Sequence, residues 1–480
     1  MLGLKKPLYS FPPHLDLRSI GLFRILLGLT LIFDLVVYKI PNIPAFYSEN
    51  GIIDLNLLFE ISDHSNYYLY KIGFLSLLKD QGCIYLFFTF TFIAYFLFTI
   101  GYRSNLFALF SFCCLYSIHQ RNSFLLSGPD EMLICCLFWS IFLPINQRFS
   151  LSQAHRTKHT ADADIIITDK FRDFSTLAIL FQISLIFFLS ANSKNGFTWN
   201  EGTAISYALM EDLWIKAPAA WLVQFPMLCK VLTYSAIIIE YSIALLIFFP
   251  FKNNITRTIA AFFILSMLWA FSMFLELGIF PLIGTVLSSI LIPSSLWEKI
   301  QDYGRWKMDD GRWKIPLLIV RKADSSQAGM EDDKEQNINA PVSAVSIGGS
   351  STKIPKNNFF LNVFKYIKTA IIIGAMIIIG WKIVLRVDSI KRYIPYPVFL
   401  QYLDNTTLFI QFWEMYAPNP SITHGWVKIA GYTQHNQYLD TKSQKPLKDD
   451  NSDLSYYKSL PWMIFTYKTC IYNNYFEEKS

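Results

Sequence analysis

Charge is what this chain has least of. Asp, Glu, Lys and Arg together make up 16% of its 480 residues, against about 25% in an ordinary soluble chain. Hydrophobic residues reach 53% and aromatics 17%, and the mean hydropathy is positive. That balance places the chain in the membrane class. Histidine is also scarce. There are seven, and none lies between Thr160 and Thr423, a stretch holding five of the nine apolar runs described below. A histidine-built metal centre in the bundle is therefore not expected, and no metal is assigned. The seven cysteines include two adjacent pairs, Cys113-Cys114 and Cys135-Cys136, and no Cys-x-x-Cys. They read as small apolar fillers rather than a disulfide framework or a zinc site. There is no GxSxG, HExxH, P-loop, or GxGxxG at a strand–helix junction, so serine-hydrolase, ATPase, zinc-protease and Rossmann readings lose support. The net charge of +6 is accounted for by lysines and arginines in short loops beside apolar runs. It asks for no nucleic acid.

What is present is a series of long apolar runs. A membrane span needs about 20 mostly apolar residues. Nine candidates are Ile20–Tyr38, Cys83–Ile100, Leu106–Ile118, Met132–Ile145, Phe174–Ala191, Leu228–Phe251, Ile259–Leu275, Phe280–Leu296 and Thr369–Leu385. The first is too long for a signal-peptide core and reads as an uncleaved span. Lys and Arg counts between the runs place the N-terminus inside and the region after Arg386 outside. The expected fold is an all-α polytopic membrane bundle with a small extracytoplasmic β-rich C-terminal domain. Its parts are a cytoplasmic N-terminus (1–17), a transmembrane bundle (18–297), a partly disordered cytoplasmic linker (298–358), a final transmembrane helix (359–386) and the outer domain (387–480). The linker is assigned on its Ser-, Asn-, Asp- and Gly-rich stretch from Gln327 to Lys356. The outer domain is assigned on period-two stretches such as Trp426–Tyr432. Asn195 to Pro226 suits one or two helices lying in the interface. Long Lys-, Asn- and Ile-rich stretches fit an AT-rich genome and a bacterial inner membrane.

Charges inside spans are rare, because each costs roughly 2.5–3.5 kcal/mol on insertion scales. Arg24 and Asp34 lie in the first run, Glu240 in the sixth, and Asp130 opens the fourth after Gly128-Pro129. They form either structural pairs, such as Arg24 with Glu240, or the lining of a polar cavity. Lys194 closes the 18-residue run Phe174–Ala191, with Trp199, Glu201 and Gly202 just beyond. A lysine there either snorkels to the headgroups or is a base, since burial lowers a lysine pKa. Glu201 is the carboxylate nearest to it in sequence.

Four places carry a family resemblance: Arg18 to Asp34; Arg121-Asn122-Ser123 through Gly128-Pro129-Asp130 to Arg148-Phe149-Ser150; Lys194 with Trp199-Asn200-Glu201-Gly202; and Trp413 to Pro420 with Gly425-Trp426. In these the chain resembles the HTTM family, the vitamin K-dependent gamma-carboxylase-like membrane proteins. The resemblance implies that Lys194 is the base that deprotonates vitamin K hydroquinone (menaquinol in bacteria). Reaction with oxygen would then yield a stronger base that prepares a peptide glutamate for carboxylation. Asn122 stands near a position where the family uses histidine, and the region around Leu268–Trp269, where it uses another, has none. An asparagine can donate a hydrogen bond but cannot shuttle a proton. Three functions follow as expectations. One is a quinol-linked membrane enzyme modifying a peptide or lipid, with Lys194 and Asn122 as catalytic residues and Trp199, Glu201, Arg24, Asp34, Asp130 and Glu240 lining its cavity. The second is a non-catalytic membrane factor for the maturation or export of a peptide or secreted protein. The third, a transporter, lacks the internal repeat many transporters show.

Overall fold

The computed structural model describes residues 12–49, 51–52, 73–153, 169–211, 214–309, 358–386, 416–420, 430–432, 438–440, 461 and 463–464. These are mostly helical. A two-residue-spaced clasp stands near the start of the described chain: Asp16 caps helix α1 (Leu17–Asp34) by accepting from the Arg18 amide at 2.8 Å, and its other oxygen pairs with the Arg18 guanidinium at 2.6 Å. The strand β1 (His14–Asp16) just before it pairs antiparallel with β2 (Lys170–Arg172), a contact the sequence did not announce. Helix α1 continues through a π-helical turn, Leu35–Lys39, into a short turn at Ile43–Phe46. Next come α2 (Gln81–Ile100), α3 (Ser104–Arg121), α4 (Gly128–Phe142), α5 (Phe174–Ser193), α6 (Pro226–Phe248), α7 (Asn253–Phe274) and α8 (Phe280–Ile290). Helix α1 packs on α2 and α8, α5 on α6, and α7 on both α6 and α8.

Among the described residues, five helices are long and apolar enough to cross a membrane: Leu17–Phe46, α2, α5, α6 and α7; a sixth counts if the bent pair Phe280–Ile290 and Ser294–Gln301 is one span. The third and fourth expected spans form α3 and α4. The first ends on the polar turn His119-Gln120-Arg121 and the second has 15 residues. Their polar ends are buried, while Leu106, Leu109 and Phe110 of α3 face outward. Helix α5 is central: 72% of its apolar stretch is buried, against 33% for α6 and α7. The outward faces of α6 and α7 carry Ile238, Leu245, Phe262 and Trp269. That is the build of a membrane-embedded protein.

Arg24 is buried without a carboxylate. Its guanidinium donates to the carbonyls of Thr99 (3.3 Å), Ile145 (2.5 Å), Arg148 (3.3 Å) and Phe149. Those carbonyls end α2 and the turn that follows α4, where backbone acceptors have no helical partner and negative dipole ends converge. The chain turns beside it at Gly101, whose φ of +80° suits a glycine. The pairing of Arg24 with Glu240 is therefore not formed.

The described chain divides into two compact units, one from the residues up to Trp297 and from Ala370 onward, the other from those of Glu298–Thr369. Helix α9 (Ser294–Asp309) carries regular structure past the start of the expected linker at 298; the Ser- and Asn-rich stretch itself lies outside the described residues. Helix α10 (Asn358–Arg386) covers the residues of the expected final span without being one of those five, and its Ile372, Ala375 and Ile379 join the main apolar core. Of the expected outer β domain, the described strands form one antiparallel pair, β3 (Ala430–Tyr432) with β4 (Tyr438–Asp440), and residues 416–420, 461 and 463–464 are described besides. The remainder falls outside the described residues. Between α5 and α6 the chain makes three short helical segments, Phe197–Glu201, Ala204–Ala208 and Ala217–Leu222, rather than one or two.

Candidate functional site

Helices α1, α4, α5, α6 and α7 enclose a cavity of about 440 Å³. Much of its wall is apolar, from Ile186, Met267, Leu268, Phe271, Ile279 and Phe280. Two buried charge clusters and one separate carboxyl interrupt that wall.

The first cluster is built on α5 and α6. Lys194 caps the C-terminus of α5, where a cation suits the helix dipole. Ser190 lies one turn earlier on the same face. The Lys194 ammonium donates to the Ser190 hydroxyl (2.7 Å), the Ser190 carbonyl (3.3 Å), and Glu240 Oε1 and Oε2 (2.8 and 2.7 Å). The Ser190 hydroxyl in turn donates to Glu240 Oε1 at 3.1 Å. The Trp199 ring covers the ammonium at 5.3 Å from its centroid, a cation–π contact that strengthens when desolvated. Lys194 is 8% exposed and Glu240 3%. Ser190 and Glu240 form part of the cavity wall, and Lys194 stands behind them.

The second cluster is built on α1, α3 and α4. The π-helical turn Leu35–Lys39 re-aims the end of α1, a distortion often found at functional sites. Lys39 then donates to Asp130 Oδ1 at 2.9 Å and lies 3.8 Å from Asp34. Asp130 is fixed from behind by the capping box of α4, accepting from the Ser127 amide (2.9 Å) and hydroxyl (2.7 Å). His119 Nε2 approaches the same carboxylate at 3.7 Å. Asp34, Lys39 and Asp130 all reach the cavity wall.

The separate carboxyl is Glu211, 7% exposed and part of the same wall. Among the described residues it has no side-chain hydrogen bond or ion pair, and burial pushes its pKa up to about 7.

A late stretch of chain completes the wall. Tyr416, Ala417, Asn419 and Pro420 line the cavity. They dock on the segment after Lys194: the Gly196 amide donates to the Pro418 carbonyl (3.1 Å). The Thr198 amide and hydroxyl donate to Asn419 Oδ1 (3.0 and 2.8 Å), and the Trp199 indole to the Tyr416 carbonyl (2.8 Å). A Cβ at Gly196 would collide with Asn419 and with the Pro418 carbonyl, so this close approach needs glycine.

Of the residues singled out from sequence, Asp34, Asp130 and Glu240 meet at the cavity, and Lys194 and Trp199 lie directly behind it. Arg24 does not reach it. Glu201 is exposed; Glu240, not Glu201, is the counter-ion of Lys194. Asn122 is buried away from the wall, donating to the Phe46 carbonyl (3.3 Å) and accepting from the Phe124 amide (3.2 Å). Sequence reasoning misses Lys39, His119, Ser190 and Glu211. The four-residue spacing of Ser190 and Lys194 could have flagged the serine. Lys39 reads as an ordinary flank of the first span, and Glu211 has no local signal at all.

Fold and site together define a membrane-embedded helical bundle with a charged interior cavity. No family model, curated protein or solved structure matches the chain.

Proposed function

We propose that the chain is a multi-pass membrane enzyme that takes a proton from a ligand held in the cavity: the resemblance to the HTTM family implies Lys194 as the base, and we assign the step to Lys194 together with its partner Glu240. The observation that carries this reading is the arrangement of the pair: the carboxylate lies in the wall with the ammonium 2.7 Å behind it. Glu240 is the group that meets the ligand. Its oxygen accepts the proton of a ligand O–H, and the Lys194 ammonium stabilises the anion left behind, at a site where low dielectric strengthens the attraction. Ser190 and Trp199 hold the ammonium in place. A reduced naphthoquinone of the vitamin K type, menaquinol in a bacterium, fits these walls in chemistry: the ring and its isoprenoid chain suit Leu268, Phe271 and Phe280, and its hydroxyls suit the carboxylates. When bound, it would supply reducing equivalents to oxygen. The product-forming substrate is a peptide or a lipid. The proposed setting is a bacterial inner membrane crossed nine times, N-terminus inside, with Lys194 and the C-terminal domain on the outer side.

The test is quinol-dependent oxygen uptake by the reconstituted protein, together with mass spectrometry of quinones extracted from it. Lys194→Ala is expected to abolish uptake. So is the double variant Lys194→Met/Glu240→Leu, which restores apolar packing. Uptake retained in the double variant would make the pair structural and end the enzymatic reading.

A second reading draws on the same contacts. The ammonium has three N–H groups and both Ser190 and Glu240 satisfy them, as in a purely structural buried pair. The chain would then be a non-catalytic factor for maturation or export of a peptide or secreted protein. It predicts a partner that co-purifies in detergent; repeated isolation of the chain alone would count against it.

A further inference from the structure

One carboxyl of the cavity wall stands apart from the others. Five carboxyl side chains line it, those of Asp34, Asp130, Glu131, Glu211 and Glu240. Among the described residues, Lys39 in the wall and Lys194 behind it are the lysines that pair with these carboxylates. Both are committed, Lys39 to Asp34 and Asp130, Lys194 to Glu240. Glu211 has no such partner among the described residues, although it is more than nine-tenths buried. The lysine nearest to it in sequence, Lys216, pairs instead with Glu276 at 3.3 Å on the half-exposed rim. A buried carboxyl is normally hydrogen-bonded or ion-paired. One that faces a cavity with an apolar wall has the chemistry of half a binding site.

We propose that the cavity binds an apolar amine in its protonated form, with the ammonium on Glu211 and the hydrocarbon body against Leu268, Phe271 and Phe280. A carboxylate at Glu211 opposes an anionic ligand of the same shape. The apolar residues and the 440 Å³ volume suit a body of aromatic or short-chain size. The bilayer surrounding the helices is the natural source of such an amphiphile. This inference shares the cavity with the proposed proton transfer but does not use the Lys194–Glu240 pair, so either can fail alone.

The experiment is isothermal titration of the whole chain in nanodiscs at pH 8, with empty nanodiscs as the blank. Two probes share one body and differ in charge: 4-phenylbutylamine and 4-phenylbutyrate. The amine is expected to bind the wild type and the carboxylate not. Glu211→Gln should weaken the amine about 10- to 100-fold, the size expected for a charge-assisted hydrogen bond, and Glu211→Asp should restore part of the loss. Size-exclusion profiles and melting temperatures of both variants report whether they fold. Equal binding of the two probes, or amine binding unchanged in folded Glu211→Gln, would overturn the proposal. Lys194→Met/Glu240→Leu should leave amine binding in place while removing oxygen uptake. Amine binding lost there and retained in Glu211→Gln would transfer the site to Glu240 and overturn the assignment to Glu211.

Discussion

Lys194 and Glu240 carry opposite charges into one water-poor place, and neither tolerates the loss of the other. Removing one member of a buried pair strands a charge, which costs about 3–5 kcal/mol, whereas replacing both with apolar side chains of similar volume is often neutral. Lys194→Ala and Glu240→Gln should each therefore lower stability markedly, and Lys194→Met/Glu240→Leu should recover most of it. Denaturation in mixed micelles would measure this; strictly additive losses would show that the two side chains do not interact. Glu211 behaves differently. Burial lifts its pKa to about 7, from about 4.3 when free in the unfolded chain. Between roughly pH 4.5 and 7 the folded state keeps a proton that the unfolded state has released, so stability falls as pH rises through that window. Glu211→Gln should flatten this slope, read as melting temperatures at pH 5 and 7.5. Equal slopes in both proteins would mean that the carboxyl is solvated.

At the scale of elements, what positions the site is a set of helix ends. Lys194 ends α5, Asp130 begins α4, and Lys39 follows a π-turn. The docking of residues 416–420 on Gly196–Trp199 depends on a glycine, and Gly196→Ala should lift that segment. Increased proteolytic cleavage near Pro418 in the variant would register it; an unchanged digest would show that the neighbours give way. The apolar runs of α1, α2, α5, α6 and α7 are legible in sequence because a mostly apolar stretch of bilayer length seldom occurs outside a membrane span. So is the interruption after Lys194. The shorter α3 and α4 sit where their apolar runs predict, with their polar ends buried against the bundle. The partners of the charged residues are not legible. Arg24 bonds to carbonyls contributed by segments 75 to 125 residues away, and Lys194 finds its carboxylate 46 residues on. Pairings of that kind are fixed by packing, to which a single sequence gives no access.

For the molecule as a whole, the apolar faces of α6 and α7 point away from the core, and the charges are gathered inside. The proposed orientation makes a direct prediction at two exposed positions. In a chain with Cys83, Cys113 and Cys470 replaced by alanine, a cysteine at Asn195 should react with an impermeant maleimide added to intact cells, and one at Arg103 should not. The opposite pattern would invert the bundle and put the Lys194 end on the cytosolic side.

The wall of the cavity also has a history. Thr198 and the Asn419 that anchors it are 221 residues apart. At a synthesis rate of about 5–20 residues per second, on the order of 10–40 s separates their emergence from the ribosome. During that interval the newborn chain holds a charged hollow with one side missing, open to whatever surrounds it. Any protein that attends its assembly has that window in which to fill the gap, and a chain stopped before residue 416 never closes it.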